Sequence, residues 1–304
     1  MIIPKSFLEY NIRRSFLRID FISVKFYYQS NENQQKEGII MKLGFIGTGN
    51  MASAIMGGII KKQLIPANEI IGSDLTEAGR ERVKNQFGIR VTSDNHEVVQ
   101  HSDVIILSVK PQFYEEVIQE IKNDVTEHQI IITIAPGKTL AWLKEQFGKN
   151  VKIVRTMPNT PALVGEGMTA ACPNEFMTDD ETDYICSILE SFGKVEIIPE
   201  RLMDVVVSVS GSSPAYVFMF IEAMADAAVS GGMPRTQAYE FAAQAVLGSA
   251  KMVLETGKHP GELKDMVCSP AGTTIEAVRV LEEKGFRSSV IEAMKTCEEI
   301  SKSL

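Results

Sequence analysis

Apolar residues follow two rhythms along this chain. From about position 42 to 200, short continuous apolar runs alternate with stretches of helical period; beyond that only the helical period remains. Continuous runs of this kind predict strands buried on both faces, at 42–46, 69–73, 104–108, 130–134, 152–155, 169–172 and 195–198. Between them the pattern predicts helices at 51–62, 77–87, 95–100, 112–121, 140–147 and 179–192. Regular alternation of the two predicts an α/β unit: a parallel, doubly wound sheet with helices on both faces.

Residues 201–304 read as an all-helical second unit. Its central helix is expected to open with Ser213 as cap and Pro214 in the first turn, to run over 215–229, and to stop at Gly231-Gly232. Apolar residues occupy nearly every side of that helix, broken by Glu222 and Asp226. Two readings fit, a buried core helix and a helix packed against a second subunit. At that length it is too short and too interrupted to span a membrane.

The 304-residue length suits two domains. A net charge of -8 argues against a general nucleic-acid binder, so anionic ligands must be held by helix ends and a few cations. Cys172, Cys186, Cys268 and Cys297 are scattered, which favours reduced thiols and a cytoplasmic setting. The four histidines are dispersed as well, so no metal site is read. Residues 1–40 fit neither rhythm and lack the features of a signal, transit or membrane-spanning segment. They are expected to be a non-native or disordered extension, with translation beginning at Met41. The expected organisation is therefore 1–40 extension, 41–200 dinucleotide-binding domain and 201–304 helical substrate and dimerisation domain.

The most informative stretch is Leu43-Gly44-Phe45-Ile46-Gly47-Thr48-Gly49-Asn50-Met51-Ala52, a strand running through a glycine turn into a helix. Gly47 permits the tight turn, Gly49 lets backbone approach a pyrophosphate, and Ala52 stands where a third glycine keeps helix and strand close. The N–H groups at the helix start then face the phosphates. Asp74, at the end of the second strand, suits the adenosine ribose and would repel a 2′-phosphate, which favours NADH; a helix cap is the alternative. Val109-Lys110-Pro111 ends the strand at 104–108 on the ligand edge, where Lys110 is either a phosphate or ribose contact or a solvated turn lysine. Met157-Pro158-Asn159-Thr160-Pro161 makes a rigid loop in which Asn159 could read an amide or ribose, or simply form a turn.

In the helical unit, Cys268-Ser269-Pro270-Ala271-Gly272-Thr273-Thr274-Ile275-Glu276 is a hydroxyl-rich turn opening a helix, with Thr273 and Glu276 at capping-box spacing. Its hydroxyls and free N–H groups make an anion site fit for a carboxylate, leaving Thr274 to bond a substrate heteroatom. There is no lysine- or histidine-centred acid/base motif, no nucleophile elbow and no metal-ligand cluster. An imine substrate suits such a site, because a protonated C=N is already an electrophile.

These motifs, together with Ser210-Gly211-Ser212-Ser213-Pro214-Ala215-Tyr216, resemble the pyrroline-5-carboxylate reductases in order from Met41 to the C-terminus. The resemblance implies a Rossmann domain followed by a helical dimerisation domain, with one subunit's helices meeting the partner's cofactor domain. It implies reduction of L-1-pyrroline-5-carboxylate to L-proline by NADPH, with NADH also in play because of Asp74. It implies a homodimer or a larger assembly of dimers, without nucleic acid or membrane. By position, Ser269, Gly272, Thr273 and Thr274 would hold the substrate carboxylate, with the Thr274 hydroxyl on the ring nitrogen. Gly47, Thr48, Gly49, Asn50, Met51, Ala52, Asp74 and Asn159 would serve the cofactor, Asn95 near adenine. Val109, Lys110 and Pro111 would lie over the ribose–nicotinamide half, and Ala135 and Pro136 beside the nicotinamide. Two positions depart from the family pattern, Ser213 and Ala271, each in place of glycine; Ala271 is tolerated unless its turn requires positive φ. The competing readings are another two-domain dehydrogenase, which would need a catalytic lysine motif, and a nucleotide sensor, which would not need the 269–274 turn.

Overall fold

The computed structural model describes residues 41–303. The expectation for 1–40 lies outside the described residues.

The first unit is built on an eight-stranded sheet. In chain order it contains β1 (Leu43–Ile46), α1 (Asn50–Lys61), β2 (Ile70–Ser73), α2 (Glu77–Phe87), β3 (Arg90–Thr92), α3 (Asn95–Gln100), β4 (Val104–Leu107) and α4 (Tyr114–Ile121). There follow β5 (Ile130–Thr133), α5 (Leu140–Phe147), β6 (Lys152–Met157), β7 (Gly167–Pro173), α6 (Asp179–Leu189) and β8 (Gly193–Ile197). Strand order is β3-β2-β1-β4-β5-β6-β7-β8, with parallel pairing from β3 through to β6 and again between β7 and β8. Chain direction across the sheet reverses between β1 and β4, and the crevice beyond their carboxyl ends is where an open α/β sheet takes its ligand.

The buried strands divide their side chains by period two. Leu43, Phe45, Val104, Ile106, Ile130 and Ile132 face one core with Ile55 and Ile59 of α1 and Ile185 and Leu189 of α6. Ile46, Ile105, Leu107, Ile131 and Ile153 face the other with Val117 and Ile118 of α4 and Leu143 and Phe147 of α5. This double burial is why the strands read as unbroken apolar runs. One strand escapes that signal: β3 is three residues long with Val91 as its sole large apolar side chain, and it lies at the sheet edge beside β2.

The second unit is helical: α7 (Met203–Val206), α8 (Ser213–Ser230), α9 (Arg235–Thr256), α10 (Pro260–Met266), α11 (Thr273–Glu283) and α12 (Phe286–Lys302). The central helix departs from expectation at its start. A π-helical turn, Val207–Gly211, joins α7 to α8, so Ser213 is not a cap; its hydroxyl donates back to the Val209 carbonyl. Pro214 is therefore inside a helical run, where it cannot donate to the Ser210 carbonyl four residues earlier. The wider turn accommodates it through Ser212 N–H to Val207 O, 2.8 Å, and the Asn159 amide donates to the orphaned Ser210 carbonyl at 3.0 Å.

The continuous helical run Glu200–Ser230 is, by length and composition, long and apolar enough to cross a membrane, which corrects the expectation of too short a segment. Only 11% of its apolar window is buried within this chain, which disfavours the core-helix reading. Phe218 is 62% and Met219 68% exposed, and Phe241, Leu254 and Ile291 on other helices of the unit are exposed too.

Candidate functional site

The glycine turn follows β1. Gly47 has φ +91°, and a Cβ there would lie 2.9 Å from the Ser108 carbonyl carbon and oxygen, so only glycine fits against the neighbouring strand end. Ser108 closes the same corner, donating through its hydroxyl to the Gly47 carbonyl at 2.6 Å. Gly49 is different. Its φ is ordinary and a Cβ would meet nothing within 4 Å among the described residues, so no packing demand of theirs excludes a side chain there. It stands at the N-cap of α1, where no side chain caps the helix. Asn50 and Met51 begin the helix on its open end, and Ala52 is fully buried against the core. Uncapped N–H groups behind open space fit a dinucleotide pyrophosphate.

Thr48 and Asp74 lock this turn. One Asp74 carboxylate oxygen accepts from Thr48 N–H at 3.2 Å and Thr48 Oγ1 at 2.8 Å; the other accepts from Thr76 N–H at 2.9 Å and Thr76 Oγ1 at 2.8 Å. Burial opposes ionisation of Asp74, but the bonds from Thr76 and Thr48 outweigh it and hold the carboxyl below its ordinary range. Asp74 is therefore not the cap of α2: Thr76 is, accepting from Gly79 N–H. Arg80 donates to the Asp74 carbonyl at 2.6 Å, and Arg82 donates to Ser53 Oγ at 2.8 Å and to the Thr48 carbonyl.

Around the same crevice, Asn95 opens α3 with its amide fully oriented: Oδ1 accepts from Ser73 Oγ at 2.6 Å and Nδ2 donates to Glu120 at 2.8 Å. Its neighbours Asp94, His96 and Glu120 come within 4.8 Å of one another, a grouping that sequence spacing does not reveal. Asp124 and Glu120 beside His96 raise its pKa, the hydrogen bond to Asp124 contributing most. Val109 is half-buried and Lys110 exposed, with Pro111 opening a short 3-10 turn. Ala135 is buried past the end of β5. The fully buried Tyr114 ties β4 to β5, donating to Leu107 O and accepting from Ile134 N–H at 3.2 Å. Sequence reasoning missed that tie, whose only trace is one tyrosine in an otherwise aliphatic stripe.

The helical unit also takes in the segments Pro136–Lys138 and Met157–Pro161, and within it Pro136, Met157, Gly211, Ser212, Tyr216 and Cys297 line a mainly apolar cavity of about 500 Å³. The Cys297 thiol donates to Ser212 Oγ at 3.2 Å. Asn159, 8% exposed, spends its Nδ2 on Ser210 rather than presenting it to solvent.

The turn ahead of α11 is a reverse turn closed by Gly272 N–H on Ser269 O at 3.0 Å. Pro270 takes its second position and Ala271 its third with φ +56°, the type II pattern that asks for glycine there. The condition under which alanine is costly is thus met. Gly272 is the N-cap of α11, and a Cβ there would sit 2.5 Å from Ser269 Oγ. The expected capping box does not form: Thr273 lies inside the first turn, no side chain caps the helix, and Glu276 pairs with Arg279 at 3.0 Å. A glycine cap leaves the leading N–H groups and the exposed Thr273, Thr274 and Ser269 hydroxyls open to an anion.

Comparisons with known proteins agree with both units. Residues 200–304 match the family model described as pyrroline-5-carboxylate reductase dimerisation, and residues 42–137 that described as NADP oxidoreductase coenzyme F420-dependent. A pyrroline-5-carboxylate reductase of Escherichia coli (strain K12) is 54% identical over 263 residues, covering 86% of this chain and 98% of that protein. One from Arabidopsis thaliana is 41% identical over 266 residues, covering 86% and 96%. Among solved structures, Plasmodium falciparum pyrroline carboxylate reductase with NADP bound has a TM-score of 0.80 and 34% identity, covering 86% of this chain and 97% of that one. Such identity over nearly the full length of these relatives, joined to the glycine cradle and the 269–274 turn, means that the chain belongs to the pyrroline-5-carboxylate reductase family.

Proposed function

We propose that this chain reduces the C=N bond of L-1-pyrroline-5-carboxylate to give L-proline, using NADPH or NADH. The observation that carries the reading is the open helix N-terminus at Gly272–Thr274, an anion site with spare hydroxyls, in a chain that also carries an uncapped glycine cradle. In this reading the dinucleotide, when bound, supplies the hydride. Gly47 and Thr48 shape the turn, their N–H groups held by the Ser73 carbonyl and Asp74, while Gly49, Asn50, Met51 and Ala52 at the uncapped helix start hold the pyrophosphate through backbone N–H groups. Asp74 and the amide of Asn95 flank the adenosine half, and Val109, Lys110, Pro111, Ala135 and Pro136 flank the nicotinamide half. Asn159 fixes the 157–161 loop through its bond to Ser210.

Ser269, Gly272 and Thr273 hold the substrate carboxylate, which orients the ring. The Thr274 hydroxyl bonds the ring nitrogen, where the proton resides that makes the imine electrophilic. Hydride adds to the imine carbon, the C=N π pair becomes the nitrogen lone pair, and the products are proline and the oxidised dinucleotide.

The protein acts as a dimer on a small-molecule substrate. The match to a dimerisation domain and the exposed apolar face of α8, with Phe218 and Met219, support packing against a second copy, and larger assemblies of such dimers are part of the same proposal. All four cysteines are free, which supports a reducing, cytoplasmic setting. Thr274→Ala tests the mechanism. It is expected to lower turnover about ten- to a hundredfold with dinucleotide affinity unchanged, as loss of one positioning bond does. Unchanged turnover would remove Thr274 from the reaction.

A further inference from the structure

Arg155 is a charged residue in an apolar place. It follows Ile153 by two positions on β6, on the sheet face whose core holds Leu143 and Phe147 of α5, and it is only 4% exposed. Its one ion pair among the described residues is with Glu200, Nη1 to Oε1 at 2.9 Å. The same Glu200 oxygen accepts from Leu140 N–H at 2.7 Å, sixty residues back along the chain. Stability alone does not ask for such a pair, because an apolar side chain of similar volume serves a buried position as well or better. What the pair adds is direction.

Leu140 opens α5, where an N–H has no partner within the helix and the helix dipole favours a carboxylate. Thr139 caps the helix from within, accepting from Trp142 N–H at 3.1 Å, and Glu200 holds Leu140 from outside. The loop between β5 and α5 is thereby tied at both ends, by Ile134 N–H on the Tyr114 hydroxyl and by Leu140 N–H on Glu200. Ala135 and Pro136 lie between the two ties. The chain passes out of the first unit after Ala135, Thr156 and Glu200 and re-enters it at Thr139. Arg155, Glu200 and Leu140 thus stand at, or one residue from, three of these crossings.

We propose that Arg155 and Glu200 are positioning residues for hydride transfer: Arg155 aims the Glu200 carboxylate, and Glu200 fixes the far end of the 134–139 loop. The proposal rests on the reductase reading, which sets Ala135 and Pro136 beside the nicotinamide. A loop held at one end alone lets the reacting carbons drift apart, which slows the chemical step without weakening the grip on the rest of either ligand.

The test compares Glu200→Ala with Glu200→Gln in the full-length protein, using imine and reduced dinucleotide with hydrogen or deuterium at C4 of the nicotinamide. Glu200→Ala is expected to lower kcat about tenfold or more, to leave the imine KM and the dinucleotide affinity within about threefold, and to raise the deuterium isotope effect on kcat. Glu200→Gln keeps an acceptor oxygen for Leu140 N–H and is expected to retain kcat within about threefold. Should the guanidinium stranded by Glu200→Ala prevent folding, the double variant Arg155→Met/Glu200→Ala removes both charges and carries the same expectation. An alanine variant with lowered stability but unchanged kcat and isotope effect would overturn the proposal, as would a loss confined to KM or to dinucleotide affinity, or a glutamine variant as slow as alanine. No imine reduction by the unmodified protein would overturn the reductase reading and this proposal with it, whereas normal variants beside an active unmodified protein overturn this proposal alone.

Discussion

Tyr114→Phe removes one oxygen atom from the centre of the first unit. The Tyr114 side chain is fully buried, and its hydroxyl is both donor to the Leu107 carbonyl and acceptor from Ile134 N–H, joining the end of β4 to the end of β5. Phenylalanine fills the same space but leaves a carbonyl and an N–H without that partner, at about 1–3 kcal/mol for a buried polar group so abandoned. With the carbonyl at the lower end, the expected loss is about 2–4 kcal/mol. Urea unfolding can be followed through Trp142, the one tryptophan of the chain, which packs against the same core cluster as Tyr114. With a denaturant slope of about 2 kcal/mol per molar, the midpoint falls by roughly 1–2 M.

A pH arm separates the hydroxyl from mere packing. Burial pushes the Tyr114 phenol well above its ordinary range, with backbone bonds from Ile134 and Ala135 only partly offsetting it. A raised folded-state value contributes stability that is present below the unfolded pKa of about 10 and lost as pH rises above it. The unmodified protein is therefore expected to lose stability above about pH 10 by a component that Tyr114→Phe lacks. The two strand ends lead into Val109, Lys110 and Ala135, so weaker dinucleotide binding should accompany the stability loss. A midpoint shift below about 0.2 M, or identical alkaline profiles, would refute the role given to this hydroxyl.

Other residues give sharper functional contrasts. Gly49→Ala meets no atom of the described residues within 4 Å and has an ordinary φ, so it should fold normally yet weaken dinucleotide binding by about tenfold or more; equal affinity would detach Gly49 from the pyrophosphate. Ala271→Gly relieves about 1 kcal/mol of left-handed strain while adding up to about 1 kcal/mol of unfolded-state entropy. Its midpoint should therefore stay within about 0.5 M urea, whereas Ala271→Val should raise the KM for the imine several-fold with dinucleotide affinity unchanged. A valine variant with normal KM would show that the turn geometry does not serve the substrate.

What the sequence discloses depends on how local the cause is. β1, the glycine turn and α1 are legible because each residue's task is met within a dozen positions, Gly47 by its φ and Ala52 by its burial. The buried strands are legible because both faces are covered, whereas Arg90–Thr92 is an edge strand with little to bury. Pro214 reads as a helix start because its cost is visible locally and its remedy is not: Asn159, fifty-one residues before Ser210, supplies the missing donor. Asp74 reads as a cap or a ribose ligand for the same reason, since its partner Thr48 is twenty-six residues away. The capping box at Thr273 is a spacing that the structure does not use, because Gly272 occupies the cap one residue earlier.

The central claim is the reduction itself, and the direct measurement is loss of the reduced-nicotinamide absorbance with purified protein, L-1-pyrroline-5-carboxylate, and NADH or NADPH in parallel. Oxidation that depends on the imine, with stoichiometric appearance of proline, is the predicted result. Dinucleotide binding by folded protein without imine-dependent oxidation by either cofactor would contradict it.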